Sequence, residues 1–351
     1  MSLEEELEGF ADLVMDVMSL YYRCRGYDAN PTEVAQLDEA LSKLMEEARR
    51  LGGLGQAIRL AYERGFLQHY RNPMKLIEMI ERLQRSVRER IALFEKIGLK
   101  PDSPKSDQIW GIATSPLLYD PDLWKGKMTP ERLKELIEAK EWVFEGDEDP
   151  EVLWRAIQAV KSKIIKKRME QVLKDLKSWI DSFFQCFVEQ ERDMALDRYE
   201  EYRWLAEELG EPVRSLEAII AERWGGGCAK LFLEWDDPEV EKDRRILDEF
   251  MMALDSAKNR LDMAERAEKS GERREAISNL MQARYFADKL AKILPQAEKL
   301  AEKYSGYKRF IREAREVLQR LEGVKVSEED YDWVRLEVEG EQASLDSYLS
   351  A

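Results

Sequence analysis

The chain of 351 residues carries a formal net charge of −16, and charged residues make up 36% of it. A chain of this length can bury a sizeable core without disulfides or metals. Its acidity argues against a protein that coats nucleic acid with its whole surface, because backbone binding needs Lys and Arg to neutralise phosphates. Abundant charge combined with only four Asn residues is typical of thermophilic proteins, so we expect a thermophilic source.

The cysteines and the N-terminus favour a reducing compartment. Cys24, Cys186 and Cys228 form no CxxC pair, so neither a structural zinc site nor a disulfide framework is expected. The chain begins with acidic residues where a signal peptide would carry positive charge, and it has no run of 18 apolar residues. We expect a soluble, cytoplasmic protein with no membrane partner.

Apolar residues recur every three or four positions along the chain, which predicts an all-α fold. Residues 1–97 are interpreted as an N-terminal bundle of four helices. Prolines at helix starts and glycines at helix ends set their bounds. The predicted helices cover 3–25, 32–50, a stretch from Gly53 to about Tyr70, and 73–97.

Residues 98–128 interrupt this pattern. They hold seven of the chain's 29 Gly and Pro residues (18 plus 11), and we expect no helix there. A long loop in a compact domain is usually functional or disordered, and this one is too apolar for a free linker. We predict a packed loop or linker that docks on a protein partner, since Trp on a loop brings large apolar area at low entropy cost. The candidate interface residues are Trp110, Leu117, Leu118, Tyr119 and Trp124.

The middle region, 129–235, is expected to be helical. Thr129 and Pro130 begin a short helix to Phe144, and no Gly or Pro occurs from 151 to 209. An unbroken helix over 150–209 would be roughly 90 Å long at 1.5 Å per residue. Its apolar residues keep a 4-3 spacing typical of a coiled coil or a long bundle helix; they are Ile165, Met169, Val172, Leu176, Trp179 and Phe183.

Charge is distributed unevenly along this region. Residues 155–177 contain eight basic and two acidic residues, a local charge of +6 in a chain of −16. The segment could contact a phosphate backbone, as could a second basic stretch over 82–90. The alternative is that the cations form ion pairs with acidic helices of the same molecule. The candidate nucleic-acid or anion contacts are Arg155, Lys161, Lys163, Lys166, Lys167, Arg168, Lys174 and Lys177.

The stretch Trp224–Lys230 reads WGGGCAK and raises the question of a phosphate loop or a nucleophile. A phosphate loop needs GxxxxGK[ST] between a strand and a helix, and this stretch lacks that spacing. We instead expect Gly225 to lie past a helix end with positive φ. Cys228 has no neighbouring base, and His69 has no second ligand nearby in sequence. We therefore expect no catalytic, metal or cofactor site and no cofactor.

The segment 236–322 is predicted to be a helical hairpin followed by a third helix. The first helix runs to Ser270, Gly271 ends it, the second covers 272–294, and the third covers 296–322. The hairpin weakly resembles a tetratricopeptide repeat, although the pattern occurs only once. The last segment, 323–351, is acidic, and VRLEVEG at 334–340 is its one strand-like pattern.

These features favour a non-enzymatic helical scaffold or adaptor that binds a protein partner or itself as a homo-oligomer. The alternatives are a nucleic-acid-associated protein that uses 155–177, and an enzyme with a carboxylate or Cys228 site. The thermophile composition, long helices and lack of motifs resemble uncharacterised all-helical proteins of hyperthermophilic archaeal plasmids and viruses. That resemblance covers no alignable segment and implies no site residue.

Overall fold

The computed structural model describes residues 2–26 and 28–322, and about 81% of these residues are helical. No strand occurs among these residues, which confirms the all-α fold class. The chain divides into two compact units. Unit 1 comprises Met1–Glu170 and Trp204–Glu211, and unit 2 comprises Gln171–Arg203 and Pro212–Ala351. The five segments proposed from the sequence remain a prediction of domain organisation.

Unit 1 begins with the four predicted helices. Capping side chains mark where two of them begin. Asn30 forms a capping box with Glu33, and Asn72 caps the helix that Pro73 opens. Such caps satisfy backbone N–H groups that have no partner within the helix. The helices are α1 (Leu3–Arg23), α2 (Pro31–Arg50), α3 (Leu54–Glu63) and α4 (Pro73–Ile97).

Residues 98–128 are largely helical, so the expectation of a helix-free loop was wrong. They form α5 (Pro104–Thr114), a 3₁₀ turn (Pro116–Tyr119) and α6 (Pro121–Trp124). Each proline occupies the first position of its element, where a missing N–H costs nothing and the fixed φ favours a helix. The next helix, α7 (Pro130–Glu138), ends before the predicted Phe144.

The predicted continuous helix over 150–209 is two helices, α8 (Pro150–Cys186) and α9 (Glu189–Leu209). Phe187 adopts a left-handed φ of 48° between them, a conformation that costs a non-glycine residue on the order of 1–3 kcal/mol. In unit 2 its ring contacts Phe183 and stacks on Tyr307, with centroids 5.4 and 6.2 Å away. Contacts between aromatic rings therefore stabilise the break, and no Gly or Pro in the sequence indicates it.

Unit 2 contains the predicted hairpin, and Gly271 ends its first helix with φ of 81°. The second helix does not stop at 294, because it continues through the exposed Pro295 to Lys303. Small residues such as Ala283 and Ala287 are buried in this helix. The tetratricopeptide-like detail is not confirmed, and the strand-like pattern at 334–340 lies outside the described residues. The helices are α10 (Leu216–Trp224), α11 (Cys228–Leu233), α12 (Pro238–Ser270), α13 (Arg273–Lys303) and, after a 3₁₀ turn at Ser305–Tyr307, α14 (Lys308–Glu322).

Candidate functional site

The structure buries four of the five side chains predicted to form a docking interface. Trp110 is 2% exposed, Trp124 is 1% exposed, and Leu118 and Tyr119 are fully buried. Only Leu117 reaches solvent, at 54% exposure. A side chain inside a unit cannot offer its area to a partner, so the predicted interface is corrected to a part of the unit 1 core.

The eight predicted phosphate contacts divide into paired and unpaired cations. Three of them pair with acids of their own unit: Lys161 with Glu208, Arg168 with Asp120, and Lys177 with Glu222. Lys167 also has an interaction partner. No described residue forms an ion pair with the other four, Arg155, Lys163, Lys166 and Lys174. The segment is thus partly neutralised within the molecule and partly open to an external anion.

The glycines of WGGGCAK serve the packing of unit 2. Gly225 follows the end of α10 with φ of 78°, as predicted, and Gly227 precedes α11 with φ of 85°. A Cβ atom on Gly227 would lie 2.3 Å from the carbonyl oxygen of Lys303, whereas one on Gly226 would meet open space. Gly227 therefore allows two backbone segments of unit 2 to approach each other closely.

The cysteines of the chain differ in exposure and reactivity. Burial raises the pKa of the Cys228 thiol to about 11, so this thiol is protonated at neutral pH and is a poor nucleophile. Burial also raises the pKa of Cys24, whereas Cys186 is exposed. In residues 2–26 and 28–322 no group of three or more His, Cys, Asp or Glu side chains could hold a metal ion. No helix within those ranges is long and apolar enough to cross a membrane.

A cavity of about 350 Å³ lies in unit 1, next to the end of α1 and beside α4 and α8. It brings together Lys163 and residues of the 82–90 stretch, which belong to two basic segments that are separate in the sequence. Three cations line it, Arg25, Arg90 and Lys163, against one acid, Glu89. An excess of positive charge in a cleft attracts anions.

Arg90 and Trp110 give this cavity its buried polar groups. The guanidinium of Arg90 donates to the carbonyl oxygens of Cys24 at 3.1 Å and Ala29 at 2.8 Å. Burial lowers the pKa of Arg90, although a guanidinium remains charged at neutral pH. The indole Nε1 of Trp110 is buried and has no hydrogen-bond acceptor among the described residues. No sequence signal marks this unpaired donor.

A second cavity, of about 390 Å³, lies in unit 2 around Arg244. This guanidinium lies 3.7 Å from the ring centroid of Trp235 and donates to the carbonyl oxygens of Leu231 and Trp235. The acids Asp236, Glu241 and Asp248 outnumber the lining cations, Arg244 and Arg245. Desolvation raises the pKa of Asp248. This cavity therefore compensates its own positive charge.

An open groove of about 590 Å³ lies between α12 and α13 of unit 2. Met252 is 52% exposed at the groove, and Phe286 is half-buried beside it. Glu249, Lys289 and Lys292 are exposed at its rim, and none of them forms an ion pair within the described part of the chain. The groove thus combines solvent-facing apolar area with unpaired charges of both signs.

Comparison of the chain with models of protein families, with curated proteins and with solved structures finds no match.

Proposed function

We propose that the protein is a non-enzymatic helical scaffold that associates with a second copy of itself through the groove between α12 and α13. The observation that carries the proposal is the exposed Met252 and the half-buried Phe286 beside unpaired charges of both signs on one helical hairpin. Exposed apolar surface with a polar rim is typical of a protein interface.

The apolar part of the groove supplies contact area. Met252 is large, flexible and mostly solvent-facing, and Met is enriched at interfaces. Phe286 is half-buried beside it, whereas Ile293 lines the groove but is only 7% exposed. An aromatic ring flanked by aliphatic side chains can anchor a partner, because its burial removes a large area from water.

The charges favour a second copy as the occupant. Because the chain reverses at Gly271, Glu249 lies farther from the turn than Lys289 does, on the opposite helix. A twofold axis through a self-complementary interface pairs a residue i with the partner's residue j, and j with i. A twofold axis that runs parallel to the two helices, between the facing grooves, would place Glu249 of one copy toward Lys289 of the other, so that both charges gain a partner.

Light scattering during gel filtration over a range of concentrations tests this proposal. We expect twice the chain mass for the wild type and the mass of a single chain for Met252→Glu, which places a charge in the interface. The matched control is Met263→Glu on the same helix, because Met263 is 42% exposed and does not line the groove. A wild type that stays monomeric, or equal loss of dimer in both variants, would overturn the proposal.

A charge exchange tests the orientation of the two copies. Glu249→Lys and Lys289→Glu each create like-charge pairs across the proposed axis, so each should weaken the dimer. The double variant restores opposite charges and should restore association. If the double variant is weaker than either single one, the proposed twofold pairing is wrong.

A second candidate function is nucleic-acid association, which the unpaired cations of α8 favour. Arg155 and Lys166 are exposed, and helical spacing places them on one face. Fluorescence anisotropy with labelled DNA and RNA at about 50 and about 200 mM salt should show salt-sensitive binding that Arg155→Glu with Lys166→Glu weakens. Absence of binding at the lower salt concentration would remove this candidate.

A further inference from the structure

We propose that the cavity in unit 1 binds a small organic anion, a carboxylate or a phosphate monoester carried on an apolar body. This inference does not depend on self-association, because every residue that carries it lies in unit 1 and lines the cavity beside α4 and α8. The volume of about 350 Å³ falls within the range of roughly 300–1,000 Å³ typical of small-molecule sites.

The positive charge of the cavity selects the sign of the ligand. Arg90 is half-buried, and its hydrogen bonds go to two neutral carbonyl groups instead of a carboxylate. Asp28 and Glu33 are close enough to favour the charge of Arg90 electrostatically, but neither lines the cavity, and no described residue forms an ion pair with the guanidinium. A half-buried cation without a direct ion pair is unfavourable, and Arg25 and Lys163 add further positive charge to a lining whose single acid is Glu89. An anion entering the cavity would compensate this charge and could form charge-assisted hydrogen bonds with the guanidinium.

The unpaired N–H of Trp110 is a second, independent observation. Buried Trp N–H groups usually have an acceptor, and Trp124 in the same unit donates its Nε1–H to the carbonyl oxygen of Leu118 at 2.6 Å. Trp110 is 2% exposed, lines the cavity, and has no such partner among the described residues. Because Trp110 lines the cavity, a bound ligand would change the surroundings of this indole N–H.

The remaining walls determine the body of the ligand. Leu37, Leu83, Val87, Leu93 and Val160 line the cavity with aliphatic groups. Cys24 also lines it, but burial raises the pKa of its thiol and its Sγ donates to the carbonyl oxygen of Glu33 at 3.4 Å. The arrangement therefore favours non-covalent binding of an aromatic or aliphatic anion.

Four probes are compared: naphthoate, naphthyl phosphate, the neutral naphthalenemethanol and inorganic phosphate. The alcohol tests the contribution of the charge, and inorganic phosphate tests the contribution of the apolar body. The two naphthyl anions distinguish a carboxylate from a phosphate. The full chain, carrying isotope-labelled tryptophan, is titrated with each probe, and the indole N–H signals are followed by NMR. The Trp110 signal is assigned by its loss in Trp110→Phe. We expect at least one naphthyl anion to shift this signal and to bind about tenfold more tightly than the alcohol, as a charge-assisted hydrogen bond allows.

Preference for naphthoate or for naphthyl phosphate identifies the anionic group, and similar binding of both supports the shared chemistry. Tighter binding of a naphthyl anion than of inorganic phosphate supports the apolar part of the site. Equal binding of the alcohol and the anions, or an unmoved Trp110 signal with all four probes, would overturn the inference.

Matched variants locate the binding site on α8. Lys163→Gln should weaken the naphthyl anion about tenfold, whereas Lys166→Gln should not, because Lys166 is also exposed and unpaired but does not line the cavity. Both substitutions lie at exposed positions and should preserve the fold. Equal weakening by the two variants would indicate general charge attraction and would overturn the assignment to this cavity. Dimer formation measured on the same samples reports separately on the groove of unit 2.

Discussion

Arg90 in unit 1 is half-buried and Arg244 in unit 2 is buried. The two guanidinium groups differ in how the surrounding residues compensate their charge. Each guanidinium donates to two backbone carbonyl groups, and burial lowers the pKa of each. Arg244 is covered by the ring of Trp235 and shares its cavity with three acids. Arg90 faces a cavity in which cations outnumber acids. A cation inside a protein can therefore lie among acids that line the same cavity, as Arg244 does, or beside a lining of net positive charge that attracts an anion, as Arg90 does.

The largest expected effect is the loss of Arg244. Arg244→Met removes the donors of two backbone carbonyls and the cation over Trp235, so the free energy of unfolding should fall by about 3–4 kcal/mol. Arg90→Met should cost about 1–2 kcal/mol, because its carbonyl partners lie beside a cavity that water can enter. Urea denaturation measures both values. Equal losses would show that the two arginines have the same structural role.

The close approach of two backbone segments in unit 2 depends on Gly227, so a substitution there should destabilise the unit. Gly227→Ala places a Cβ against the carbonyl oxygen of Lys303 and forces a positive φ on Ala, so we expect a loss of about 2–3 kcal/mol. Gly226→Ala, at the neighbouring position with open space, should change the stability by less than about 0.5 kcal/mol. Thermal unfolding of the two variants provides the measurement. A similar loss at both positions would contradict the close approach at Gly227.

Two buried tryptophans of unit 1 differ in whether their indole N–H has a hydrogen-bond acceptor. Trp124→Phe removes a hydrogen bond to the carbonyl of Leu118 as well as side-chain volume, and it should cost about 2–3 kcal/mol. Trp110→Phe removes similar volume but no hydrogen bond, so its cost should be about 1 kcal/mol lower. Denaturant titration gives both values. A cost at Trp110 that equals or exceeds the cost at Trp124 would mean that the Trp110 N–H has a partner.

The smallest expected effect concerns the acid beside Arg244. Desolvation raises the pKa of Asp248 above 3.8, the usual value of an exposed aspartate, so the folded state binds a proton more tightly than the unfolded state does. Ionisation of Asp248 therefore lowers the stability as the pH rises above this value. Asp248→Asn should stabilise the protein at neutral pH, by less than about 1 kcal/mol because the side chain is half-exposed.

The pH dependence provides the check on this prediction. The stabilisation by Asp248→Asn should be fully present at neutral pH and should disappear as the pH falls below 3.8, where the unfolded carboxyl is also protonated. Unfolding free energies measured across this range would test the sign. Destabilisation at neutral pH would indicate that Arg244 stabilises the charged carboxylate more than burial penalises it.

Local signals predicted much of the fold. Asn72 and Pro73 marked the start of α4, Gly98 follows its end, and Gly271 marked the end of α12, because caps and positive φ depend on neighbouring residues alone. The number of prolines in 98–128 predicted a loop without helices, but Pro104 and Pro121 each begin a helix. The break at Phe187 depends on rings distant in sequence, and local patterning cannot reveal such contacts.

The sites depend even more on tertiary contacts. The sequence identified Lys163 and the 82–90 stretch as separate basic features, but only the packing of unit 1 places them around one cavity. It also proposed Trp110 and Trp124 as interface residues from their apolar area, and both are buried. The size of an aromatic side chain does not indicate whether it faces a partner or the core. The distinguishing feature of Trp110 is its unpaired N–H, which depends on the tertiary surroundings of the ring.

The different exposure of the three cysteines also makes the chain convenient for spectroscopy. Cys24 and Cys228 are buried, and Cys186 is exposed. A maleimide dye should therefore attach at one position in the native wild-type chain, without prior removal of other thiols. Two copies labelled with donor and acceptor dyes would then report association by energy transfer at nanomolar concentrations, far below those that light scattering requires.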